Sequence, residues 1–168
     1  MKLSRSSILF TILAVVILSA APDAIRRLAQ TGDPYLFTKQ FFEDLAARLT
    51  GAGKLRFIVQ PTVAGILGFR YGMKDFHASL PPFLTMVAFH ASHRGHAVRT
   101  ALADVRDLVA IAILLDILSQ WLIFREIHLA AAIILGPVLI TIPYGLARET
   151  ANRIARARRP RARAAGSF

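Results

Sequence analysis

The sequence predicts an all-α integral membrane protein with about four transmembrane helices, a C-terminal helical hairpin and an amphipathic interfacial helix. Two observations carry that prediction. The chain has 168 residues, of which 55% are hydrophobic, yet its formal charge is +11. A soluble domain of this size must hide its apolar residues inside a polar surface and rarely combines both extremes, whereas a bilayer hides them on the outside. The apolar residues also come in runs, and the arginines gather at the chain ends and between the runs. Cysteine is absent, which excludes disulfides, thiol nucleophiles and thiolate metal sites.

Segment 1–21 begins with Lys2 and Arg5 and continues into the apolar run 8–21, the pattern of a signal anchor or a signal peptide. Cleavage at its small-residue site would leave Pro22 first, a poor position for the peptidase, so retention is the expectation. Segment 22–55 is polar and mixed in charge. Within it Phe37, Phe41, Leu45 and Leu49 recur every four residues, with Lys39, Glu43, Asp44 and Arg48 off that stripe, as in an amphipathic helix at a membrane surface or against the protein's own spans. The GAGK stretch, Gly51 to Lys54, lacks the first glycine and the final Ser or Thr of a phosphate loop.

The membrane domain is read as 56–147. Its last two runs, 108–124 and 127–147, are each long enough to span, and only Arg125 and Glu126 separate them, so the two helices must be antiparallel neighbours. Trp121 and Phe124 are then expected at one interface and Tyr144 at the other. The run 57–69 is shorter, with a rise of about 20 Å against a hydrocarbon core of about 30 Å. Parity requires it to cross nonetheless. The basic tail 148–168 and the connection 70–107, which holds five basic and three acidic residues, both belong in the cytoplasm. The Arg125–Glu126 turn and segment 22–55 then lie outside, which puts both termini inside. Arg56 and Arg70 are expected to snorkel, while Gly65 and Gly68 let this short helix lean on its neighbours.

The stretch LRFIVQPTVAGILGFRYGMKDFHASLPPFL, residues 55–84, contains R-x-x-x-Q-P, a glycine-containing apolar run, an acidic residue and P-P-F-L in order. In this it resembles a recurring segment of small bacterial integral-membrane proteins of uncharacterised function, with Ser79 and Leu80 where such proteins tend to be more basic. The resemblance implies a bacterial membrane setting and carries no activity.

Asp116 is the first functional suspect, because it sits in the middle of an apolar run. Insertion tolerates it: eleven Leu, Ile, Val and Phe residues of that run contribute about −3 to −7 kcal/mol against a cost of about 2.5–3.5 for a central aspartate. Gln120 lies one turn away, and Gln60 is the third polar intramembrane side chain. Reflection through the hairpin places Asp116 level with Pro137 and Gln120 level with Ile133, whose carbonyl Pro137 deprives of its helical donor. The structural reading has Gln120 or a protonated Asp116 capping that carbonyl, with Gly136 allowing close approach; the functional one is a proton or cation pathway.

His90, His93 and His96 recur every three residues, with His77 upstream, a spacing that allows a metal site but lacks a carboxylate or thiol to complete it. A solvated, partly basic segment is the simpler reading. Arg153, Arg156, Arg158 and Arg159 of the tail suit anionic lipid headgroups, at about 1 kcal/mol per basic residue near the surface. Nucleic acid is disfavoured because no aromatic residues interleave with them to stack on bases. No catalytic or cofactor motif is present, so no cofactor is expected. The expectation is a bacterial inner-membrane protein serving as a non-catalytic accessory or interaction subunit, bound to a membrane-protein partner or to copies of itself. The alternative is a small transporter or channel-like protein using Asp116 and Gln120.

Overall fold

A computed structural model describes residues 4–32, 35–51 and 53–165, and the side chains of all of these but 31, 93 and 159–165. Among the described residues the fold is entirely helical: α1 (Arg5–Thr31), α2 (Lys39–Thr50), α3 (Lys54–His77), α4 (Phe83–Phe89), α5 (Ala91–Phe124) and α6 (Leu129–Ala165). Three of these helices, α1, α5 and α6, are long and apolar enough to cross a membrane. The short run 57–69 lies inside α3, which runs to 24 residues but is diluted by Arg56, Gln60, Pro61 and Arg70 and falls outside that set. The chain divides into two compact units, Met1–Gln60 with Arg106–Leu139, and Pro61–Val105 with Ile140–Phe168.

In the first unit α1 starts where the Ser4 hydroxyl accepts the Ser7 amide, 3.1 Å, and stops at Gly32, whose φ of 67° ends the helix by bonding back to the Leu28 carbonyl. It continues through Pro22, a residue tolerated inside membrane helices. Leu13 packs with Ala110, Ile113 and Ile117 of α5 and with Leu129 and Ala132 of α6. Gly136 faces α5 so closely that a Cβ there would stand 2.9 Å from the Ile113 backbone nitrogen, which confirms the close approach expected of the hairpin. Ser6 donates to Asp107 at 2.8 Å, and Arg27 pairs with Glu126 at 2.6 Å. α1 therefore runs parallel to α5.

α2 begins with the Thr38 hydroxyl accepting the Phe41 amide, 3.2 Å. Its expected aromatic stripe is only partly buried: Phe41 is inside, whereas Phe37 and Leu49 are exposed. Arg48, read from the sequence as part of the polar face, is fully buried, because its partner is a carboxylate rather than water.

In the second unit α3 and α6 run parallel and nearly touch. A Cβ at Gly68 would collide with the Tyr144 carbonyl, and one at Gly72 with the Arg148 carbonyl. Gly68 plays the expected packing role, but Gly65 meets nothing within 4 Å. The connection 70–107 is largely helical, and Gly95 lies within α5. The turn before α4 takes Ser79 into the left-handed region, φ 60°, and is clamped by α6: Asn152 Nδ2 and Arg156 Nη2 both donate to the Leu80 carbonyl, at 3.2 and 2.5 Å. Pro82 offers α4 no side-chain cap. Glu149 of α6 supplies one, accepting from the Leu84 amide at 2.7 Å and from the Thr85 hydroxyl at 3.1 Å.

Candidate functional site

The largest concentration of buried charge in the first unit centres on Asp116. α5 holds this carboxylate at 0% exposure, and two guanidiniums converge on its Oδ1: Arg56 from the first turn of α3, in direct contact, and Arg48 from the last turn of α2, at 3.6 Å. Its Oδ2 accepts from Gln120 Nε2 at 2.8 Å, one helical turn on. The Gln120 Oε1 in turn accepts the His128 backbone N–H at 2.6 Å, tying the group to the α5–α6 turn. The sequence expectation for Gln120 and Asp116 is corrected here: they bind each other, the arginines and the turn rather than the Ile133 carbonyl. Arg56 is 6% exposed and does not snorkel, because an intramolecular carboxylate is nearer than the interface.

Hydrogen bonding in this group is incomplete. Arg48 Nε, Arg56 Nε and Nη1 and both amide atoms of Gln60 are buried without a hydrogen-bond partner, while Arg48 Nη1 and Arg56 Nη2 have only their ion pairs with Asp116 Oδ1. Gln60 follows Arg56 by one turn of α3, so the two side chains share a helix face, and it is 4% exposed. Buried amides and guanidiniums left in this condition each cost about 1–3 kcal/mol or more.

Arg48 links this group to a cleft. Its Nη2 donates to the Tyr35 hydroxyl at 3.2 Å, and that hydroxyl donates to Asp44 at 2.5 Å. The Tyr35 ring stacks flat on His128, with centroids 3.6 Å apart and planes 3° from parallel. Burial, then the bond to Asp44, pushes the Tyr35 hydroxyl above the ordinary phenol range. Burial also holds the His128 imidazole below its ordinary value, against the pull of the Asp44 carboxylate. Tyr35 and His128 line a cleft of about 850 Å³ together with apolar side chains that include Ile25, Leu28 and Leu129 and with the charged Arg27 and Lys39.

The second unit has its own buried ion group, and that one is closed. Arg148 binds Asp75 through two hydrogen bonds, 2.6 and 3.0 Å, and gives a third, 2.8 Å, to the Tyr144 hydroxyl, which donates to Asp104 at 3.0 Å. The rings of Phe83, Tyr71 and Tyr144 surround the guanidinium at 4.9–5.8 Å. Every side-chain polar atom of Arg148 and Asp75 has a partner within the unit, so this group holds α3 to α6. Tyr144, expected at an interface, is instead 2% exposed.

Among the described residues no group of three or more His, Asp or Glu could hold a metal. His77, His90 and His96 are exposed, and the side chain of His93 lies outside the described residues. Of the tail arginines, Arg153 bonds to Glu149 at 2.5 Å and Arg156 to Asn152 at 2.6 Å, Arg158 is exposed, and the side chain of Arg159 lies outside the described residues. Arg48, Arg56, Tyr35 and His128 escaped the sequence reading. One signal pointed to Arg56 alone: two helices each carry a polar pair at i and i+4 in apolar surroundings, Arg56 with Gln60 and Asp116 with Gln120, and such pairs seek each other. Comparison with family models, with curated proteins and with solved structures gives no match.

Proposed function

We propose that this chain is a bacterial inner-membrane protein with four transmembrane helices and both termini cytoplasmic, acting as a non-catalytic accessory or interaction subunit. The observation that carries this reading is the exposure of α1: only 6% of the residues in its most apolar stretch are buried within the chain, so most of that helix outside the face around Leu13 is offered to lipid or to another helix. The parallel course of α1 and α5 supports the fourth crossing, because the chain between Arg27 and Asp107 has to return, and α3 is the long helix in that interval. Single cysteines at Lys54 and Lys74 test it, and labelling of both from one side of the membrane refutes a crossing α3. Purification in mild detergent tests the role: a stable larger assembly is expected, and a lone chain refutes the interaction subunit.

A second reading, a small transporter or channel-like protein built on Asp116 and Gln120, draws support from the complete burial of these two joined side chains and from the unpartnered Gln60 amide. Asp116→Asn in liposomes is its test. Loss of ion flux in a protein that still assembles favours it, and unchanged flux sinks it.

A further inference from the structure

The polar group around Asp116 carries more positive than negative charge. Two guanidiniums, Arg48 and Arg56, share one carboxylate, which leaves one unit of positive charge among side chains that are at most 6% exposed. Asp44 reaches Arg48 only through the Tyr35 hydroxyl, and it is itself half-buried. An uncompensated buried charge is among the most expensive things a fold can keep. The unpartnered atoms specify what would relieve it. Three guanidinium nitrogens that make no ion pair, Arg48 Nε and Arg56 Nε and Nη1, and the Gln60 NH2 are donors, which select an anion over a cation and suit the fork geometry of an oxyanion. The remaining Gln60 atom, its carbonyl oxygen, is an acceptor, so the ligand must also donate. A carboxylate only accepts. A phosphate group with one protonated oxygen does both.

We propose that the face made by Arg48, Arg56 and Gln60 binds a phosphate group, either as free inorganic phosphate or as the phosphomonoester headgroup of a lipid. The guanidiniums hold its charged oxygens, the Gln60 NH2 donates to one of them, and the Gln60 carbonyl accepts from the protonated oxygen. Asp116 fixes the arginines in place and does not touch the ligand. Tyr35 lines the cleft and accepts from Arg48 Nη2 through its hydroxyl, so it is the side chain that joins this group to the cleft. This inference is independent of whether the protein works as a subunit or as a transporter.

The test uses the full chain in detergent at constant ionic strength. Thermal unfolding is followed through Trp121, the single tryptophan, which is adjacent to Gln120. Inorganic phosphate, acetate, chloride and a short-chain phosphatidic acid are titrated separately. A saturable rise in melting temperature is expected with phosphate, with phosphatidic acid, or with both; a response to inorganic phosphate identifies the free ion as sufficient, and one confined to phosphatidic acid identifies the headgroup. Gln60→Leu should melt no lower than the parent without ligand, since it removes an amide that has no protein partner. It should nonetheless weaken phosphate binding by about tenfold or more, the worth of one hydrogen bond to a charged group. Arg56→Lys should weaken it similarly by breaking the fork, while Arg99→Gln, on an exposed position of α5, should leave it unchanged. Three results overturn the proposal: no saturable response to either phosphate source, an equal response to acetate or chloride, or a phosphate response that survives in both Gln60→Leu and Arg56→Lys.

Discussion

Replacing Arg148 by methionine should be among the most damaging single changes available to this chain. Asp75 and Arg148 are each 5% exposed and are joined by two hydrogen bonds, so Arg148→Met strands a buried carboxylate that water cannot reach. Hydrogen bonds to charged groups are worth about 1.5–3 kcal/mol each, and breaking a buried pair from one side costs about 3–5 kcal/mol. The expected loss is therefore about 3–5 kcal/mol, read by titrating the detergent-solubilised protein with a denaturing surfactant and following helicity. Adding Asp75→Leu removes the stranded charge, and since a buried pair exchanged for apolar residues is often close to neutral, about 1–3 kcal/mol should return. Asp104 keeps the Tyr144 hydroxyl as its donor in the double variant, which is why the recovery is partial. A loss below about 1 kcal/mol for Arg148→Met, or strict additivity of the two changes, would refute the assignment of this pair as the clamp between α3 and α6.

Two further outcomes follow from the geometry. His128 has its folded-state pKa depressed by burial, so between that value and about 6.5 the folded chain binds fewer protons than the unfolded one. Stability should thus rise with pH across this window and fall on acidification through it, and His128→Asn should flatten that part of a melting-temperature profile taken from pH ~5 to ~8. Gly68→Ala should cost about 1–3 kcal/mol in the same unfolding assay, because its Cβ has only the Tyr144 backbone to displace. Gly65→Ala meets open space and should be neutral or stabilising by up to about 1 kcal/mol through helix propensity; equal effects at the two positions would contradict the packing described.

The hairpin of α5 and α6 was legible because its two apolar runs and its short turn leave one geometry, and Gly136 sits where that geometry needs a small residue. The helix ends were not. Apolar runs at 108–124 and 127–147 report how much chain prefers hydrocarbon, whereas the helices extend to Ala91 and Ala165 through polar residues that satisfy helical hydrogen bonding equally well. Hydrophobic periodicity likewise cannot identify Arg48 as an interior residue, since it scores a guanidinium as polar whether it faces water or Asp116. Tyr144 was misplaced for the same reason: its ring suits an interface, but its hydroxyl finds Asp104 and Arg148 inside. Asp116 was legible as unusual, and its arginine partners were not, because they arrive from two other helices.

The clamp on the Leu80 turn also commits two tail arginines to acceptors within the chain. Arg156 is bonded to Asn152 and the Leu80 carbonyl, and Arg153 has its charge offset by Glu149. Of the two, only Arg153 has a carboxylate to offset its charge; Arg156 gives its hydrogen bonds to neutral acceptors and keeps its full charge at an exposed position.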